Sequence, residues 1–144
     1  MSNAFATKGK AAVDAARARG RRVGLLRLRV IRPWPAEAIV QALRGRRAIA
    51  VLDQNLAPGL GGILFQEVAA TLYHETLRPR ALCSFIVGLG GKNISEAEFE
   101  AIFAMATVAG DRGKGTGPIL LYTQQEHREM EQLQCLAVDL RTRS

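Results

Sequence analysis

The chain has 144 residues, 48% of them hydrophobic and 6% aromatic, and a net charge of +7. That is enough for one domain with its own core. No apolar run approaches the roughly 20 residues that span a bilayer, and no signal-peptide core is visible at the N-terminus, so a cytoplasmic protein with no membrane partner is expected.

In chain order, residues 2–20 read as a helix from about Thr7 to Arg19, with Thr7 as N-cap and Gly20 in the C′ position. Val23 to Val30 alternates Leu26, Leu28 and Val30 with Arg27 and Arg29, the pattern of a strand with one wet or partner-facing side. Arg32-Pro33-Trp34-Pro35 stops it, because Pro33 donates nothing to a ladder. A short helix follows from Ala36 to Leu43, with Pro35 at its first turn and Gly45 beyond its end. Ala48 to Asp53 is a continuous apolar run suited to a strand covered on both faces. Pro58 to Gly62 is a glycine-rich turn, and Leu64, Phe65, Val68, Ala69 and Leu72 form the core stripe of a helix from Ile63 to about Tyr73.

The unit then repeats. Ala81 to Val87 is a second buried strand, Gly88 to Gly91 a second glycine turn, and Ser95-Glu96-Ala97-Glu98 a capping box opening a helix to about Ala109. Strand, turn and helix repeated with short connections predict parallel strands in one sheet. Residues 110–118 hold four glycines and read as a linker between a domain at 1–109 and an extension at 119–144. In the extension, Ile119 to Tyr122 is a candidate short strand. A capping box from Thr123 to Glu126 opens a helix with Met130, Leu133, Leu136, Ala137 and Leu140 on one stripe.

Carboxyl ends of parallel strands are where open α/β sheets bind ligands, so both turns are candidate ligand or interface sites. They comprise Asp53, Asn55, Gly59, Gly61 and Gly62 at the first, and Gly88, Gly90 and Gly91 at the second. Neither completes GxGxxG, since Leu64 and Asn93 stand where the third small residue belongs, and Lys92 is not followed by Ser or Thr. Backbone turns that need positive φ or tight strand–helix contact are the favoured explanation of the glycines, and an Asx turn is the commoner role for an acid placed as Asp53 is. Cys83, Cys135, His74 and His127 are too few and too scattered for a zinc or cluster site. No nucleophile, base and orienter are brought together by any visible spacing, so no catalytic, cofactor-binding or metal residue is assigned. Ten arginines and a single acid lie between Arg17 and Arg47. That block suits a subunit contact, with Arg27, Arg29, Arg32 and Trp34 as its candidates; nucleic acid is disfavoured because aromatic stacking residues and a recognisable motif are missing.

Three stretches together carry a resemblance. They are residues 23–35 (VGLLRLRVIRPWP), Val51-Leu52-Asp53-Gln54-Asn55 with residues 61–68 (GGILFQEV), and residues 88–95 (GLGGKNIS). In order and spacing they resemble core domain II of pyruvate:ferredoxin oxidoreductases, the C-terminal part of the alpha subunit in multi-subunit forms, over about residues 2–106. The resemblance implies a three-layer α/β/α sandwich like the C-terminal domain of transketolases. It also implies that one or more strands precede the first helix, so that this chain would be a fragment or one piece of a split subunit, of marginal stability alone. The implied function is a structural and interface role in converting pyruvate, or another 2-oxoacid, to acyl-CoA. The partners would be the other subunits and, through the complex, ferredoxin. The complex would use thiamine diphosphate, Mg²⁺, iron–sulfur clusters and CoA, none bound by this chain. The alternatives are a stand-alone module for a phosphorylated ligand at the glycine turns and a basic nucleic-acid-binding protein.

Overall fold

A computed structural model describes residues 3–122, and 125, 126, 128, 129, 131 and 132 in the C-terminal segment. The expected cap at Thr123 and apolar stripe from Met130 to Leu140, with His127 and Cys135, lie outside the described residues. Four helices, α1 (Asn3–Ala18), α2 (Ala36–Leu43), α3 (Ile63–Leu72) and α4 (Glu96–Arg112), alternate in part with three strands, β1 (Ala48–Asp53), β2 (Ala81–Ile86) and β3 (Ile119–Leu120). The strands form one parallel sheet in the order β1-β2-β3. Ala48 is level with Ala81 and Asp53 with Ile86; Phe85 is level with Ile119.

Alternation along each strand builds the two sides of the core. Ala48, Ala50 and Leu52 of β1, with Ala81, Cys83 and Phe85 of β2, face a cluster completed by Ala12 of α1 and Phe99, Ile102 and Ala109 of α4. Ile49 and Val51 face the opposite cluster, made with Ile39 and Leu43 of α2 and Val68 and Leu72 of α3. A three-layer α/β/α arrangement results. The continuous apolar runs of β1 and β2 exist because helices cover both faces.

The sequence boundaries hold closely for α2, β1, α3 and β2, and departures occur where distant groups decide. α1 begins at Asn3 instead of Thr7, so Thr7 lies inside the helix and is not its cap. Its other end is as expected. Gly20 adopts φ +80°, its N–H donates to Arg17 O, and Arg21 N–H donates to Ala16 O, a Schellman closure. α4 continues to Arg112 and ends on Gly113 in the left-handed region. The glycine-rich stretch after it lies against the sheet: a side chain at Gly115 would collide with the Leu82 backbone, and Thr116 O accepts from Ser84 N–H. The stretch delivers Ile119 and Leu120 to β2 as β3.

The strand expected at Val23 to Val30 does not form. Residues 21–28 carry no regular structure, and Leu25, Leu26, Val30 and Ile31 are 44–55% exposed. Alternation is a property of the segment, whereas a ladder needs a neighbour, and among the described residues β1 pairs on one side alone, with β2. Leu25 lies beside Gly9 of α1 and Leu28 enters the α2/α3 cluster, so the connection passes from one layer to the other.

Candidate functional site

At the end of β1 the chain makes a tight reversal, Ala57 N–H donating to Gly61 O at 2.8 Å and Gly61 N–H to Ala57 O at 3.0 Å. It then enters α3 at Gly62, which has no side chain with which to cap the helix. The cap comes from further back. Asp53, 2% exposed at the end of β1, accepts from Leu64 N–H through Oδ1 at 2.9 Å and from Phe65 N–H through Oδ2 at 3.0 Å. Asn55 Oδ1 accepts from Ile63 N–H at 3.0 Å. Three donors at the start of α3 are thereby satisfied, and a carboxylate sits at the positive end of the helix dipole. Gly62 is required for space and not for its dihedral, since φ is an ordinary −77°. Any side chain there would overlap the Asp53 carboxylate.

The second turn is built differently. Gly88, Gly90 and Gly91 all take positive φ, between 63° and 83°, a run of left-handed conformations that other residues resist. A 3₁₀ turn over Leu89–Gly91 leads to Ser95, where the expected capping box closes: Glu98 N–H donates to Ser95 Oγ at 3.3 Å and Ser95 N–H to Glu98 Oε2 at 2.6 Å. Beside this turn, at the ends of β2 and β3, lies a cavity of about 200 Å³ lined by Gly88, Leu89, Lys92, Asn93, Glu98 and Glu126 among others. Lys92 is ion-paired with Glu126.

The predicted site residues therefore fall into three groups. Asp53, Asn55, Gly59, Gly61 and Gly62 form one unit that starts α3. Gly88 lines the cavity at the end of the neighbouring strand, with Gly90 and Gly91 in the same turn but outside its lining. The arginine block is a separate surface. On it Arg32 reaches Glu67 of α3 at 2.5 Å, Trp34 Nε1 donates to Thr71 Oγ1 at 2.7 Å, and Arg27 and Arg29 are exposed. Arg19 and Arg21 both engage Glu100 of α4, and Arg47 pairs with Asp111. Glu67 and Glu100 were not singled out from sequence. Their spacing on helix surfaces opposite an arginine-rich segment was the available signal.

Among the described residues no group of three or more His, Cys, Asp or Glu side chains is placed to hold a metal ion, and no helix is long and apolar enough to cross a membrane. Three-layer architecture, a parallel sheet and glycine turns at the strand ends define an α/β core domain. The family model for pyruvate:ferredoxin oxidoreductase core domain II matches residues 1–99, and the chain belongs to that family. Among its relatives is the pyruvate synthase subunit PorA of Methanothermobacter thermautotrophicus, 46% identical over 90 residues, which are 62% of this chain and 22% of the relative. The ketoisovalerate oxidoreductase subunit VorA of Pyrococcus furiosus is 40% identical over 93 residues, 65% of this chain and 23% of the relative. PorA of Pyrococcus furiosus is 33% identical over 107 residues, 74% of this chain and 27% of the relative. The chain thus spans about a quarter of the length of these relatives.

Proposed function

We propose that the chain is a core-domain II unit of the alpha subunit of a 2-oxoacid:ferredoxin oxidoreductase, serving as scaffold and subunit interface instead of carrying the chemistry. The observation that carries this reading is the use of the backbone donors at both helix starts. Asp53 and Asn55 saturate the first turn of α3, and Ser95 with Glu98 closes α4. A phosphate or carboxylate arriving at either helix start would have to displace a fixed carboxylate of the protein itself. Thiamine diphosphate, Mg²⁺, iron–sulfur clusters and CoA would belong to other domains or subunits. The donor set here does not fit a cluster, which takes several thiolates: Cys83 is fully buried in the core among Phe85, Val87 and Ile102.

The test is co-expression with thiamine-binding and ferredoxin-like subunits from the same genome, followed by size-exclusion chromatography and an assay of 2-oxoacid-dependent ferredoxin reduction. Co-elution, with activity lost when this chain is omitted, is the expected result. An active complex assembled without it overturns the proposal.

The cavity beside Gly88 and Lys92 favours a second reading, a module for a phosphorylated ligand. Its lining argues against that chemistry: Glu98, Glu126 and Glu129 border the same space, and Lys92 is held by Glu126. Thermal shift with CoA and nucleotides separates the two readings, because a ligand bound by the native state alone raises the midpoint. The scaffold reading expects no shift.

A further inference from the structure

Two features of the strand-end face meet at the first glycine turn. Leu56, Leu60 and Ile63 are 43%, 65% and 53% exposed, and none belongs to either core cluster. Three large apolar side chains within eight residues, around a reversal bonded to itself, make an apolar surface that calls for a cover. The C-terminal extension starts beside it. A side chain at Gly61 would meet Pro118 at 3.3 Å, and Leu121 N–H donates to Ile86 O. Glu126 and Glu129 then border the cavity at the second turn, where Lys92 holds Glu126. The two turns close neighbouring strands, which lie about 5 Å apart. Residues 133–144 follow directly and lie outside the described residues.

We propose that the surface of Leu56, Leu60 and Ile63 is the seat of this chain's own C-terminal segment, residues 133–140, through Leu133, Leu136, Ala137 and Leu140. Position and length select this occupant. Twelve residues follow Gln132, and eight residues at helical rise cover about 12 Å, more than twice the separation of the two strand ends. Pattern agrees with position, since the four apolar residues fall at helical spacing and make one stripe. The first turn touches Pro118, which leads into the extension. The other exposed apolar run, Leu25 to Ile31, is fastened at Gly9 and at the α2/α3 cluster instead. The contact lies within one chain and does not rest on the oxidoreductase reading, so a failed complex reconstitution leaves it standing.

The test uses the full, isotope-labelled chain carrying a nitroxide at Cys135. Cys83 is fully buried and stays unlabelled, and Cys135 is not a stripe position, so the label leaves the contact intact. Amide signals are compared before and after the nitroxide is reduced. Those of Leu60 and Ile63 are expected to be broadened, while those of Arg46 and Arg47, about 20 Å away at the other end of β1, keep their intensity. The broadening should persist when the doubly labelled protein is diluted with unlabelled chain, which distinguishes contact within a chain from contact between copies. Leu136→Asp with Leu140→Asp should remove it and lower the thermal midpoint by about 3 °C. The β1 amides bonded to β2 should keep their exchange protection in that variant, showing that the domain itself is intact. Leu60→Ser should remove the broadening from the other side of the contact; should that variant not fold, the aspartate variant decides the point alone. No broadening at Leu60 and Ile63, broadening centred on Leu25 and Leu26 instead, loss of the effect on dilution, or an effect unchanged by the aspartates overturns the proposal.

Discussion

Asp53 and Gly62 are a matched pair, and the match shows why each position holds the residue it does. Asp53 holds two helix-start donors from a position eleven residues before Leu64, and Gly62 leaves the room its carboxylate occupies. Asp53→Ala is expected to cost about 2–4 kcal/mol, since two charge-assisted hydrogen bonds are lost in a site with little access to water. Gly62→Ala should cost about 1–3 kcal/mol through overpacking. The two should not add: with the carboxylate gone, the added methyl has space, and the double variant should be less destabilised than the sum by about 1 kcal/mol or more. Urea denaturation of the four proteins in the cycle measures this. An additive result would mean that the carboxylate is not what excludes a side chain at 62. Sequence showed an acid at a strand end and two glycines before a helix, a combination that favours a structural turn and also admits an open anion site. Which of the two it is depends on a bond across a turn, which local pattern does not encode.

Among whole elements, legibility followed the range of the forces involved. β1 and β2 were readable because an unbroken apolar run records burial on both faces, and α4 because its start signal, Ser95 to Glu98, spans four residues. Ser95→Ala should therefore cost about 1 kcal/mol, with fraying confined to the first turn of α4. The stretch from Val23 to Val30 has a strand's pattern without a strand's neighbour, and pattern alone could not report that. β3 forms within the short strand expected at Ile119 to Tyr122, but what seats it was not legible: Gly115 passes over the Leu82 carbonyl. Gly115→Ala should lift that approach and release β3. Hydrogen exchange at the amides of Ser84 and Leu121, which donate to Thr116 O and Ile86 O, should then accelerate by at least about tenfold while β1 amides bonded to β2 keep their protection. Unchanged exchange would show that β3 is held by its own side chains instead.

On the scale of the whole molecule, four exposed apolar side chains, Leu25, Leu26, Val30 and Ile31, lie together on the arginine-bearing connection. Single exposed leucines need no explanation, but a run rimmed by charge marks contact with another protein. Pairing of Arg19 and Arg21 with Glu100 and of Arg32 with Glu67 fastens the ends of the segment to the helices, while Leu28 enters the α2/α3 cluster and Leu26 and Val30 stay outward. Exposed ion pairs of this kind add little stability, so their effect is on position. Leu26 and Val30, 46% and 55% exposed, do not belong to either core cluster. Leu26→Ser with Val30→Ser should therefore change the unfolding free energy of the isolated chain by no more than about 0.5 kcal/mol per site. If the connection is the subunit contact, the same pair should abolish co-elution with the partner subunits. Stability retained and assembly lost is the combination that a purely structural segment cannot produce, because residues needed only for folding would lose both together.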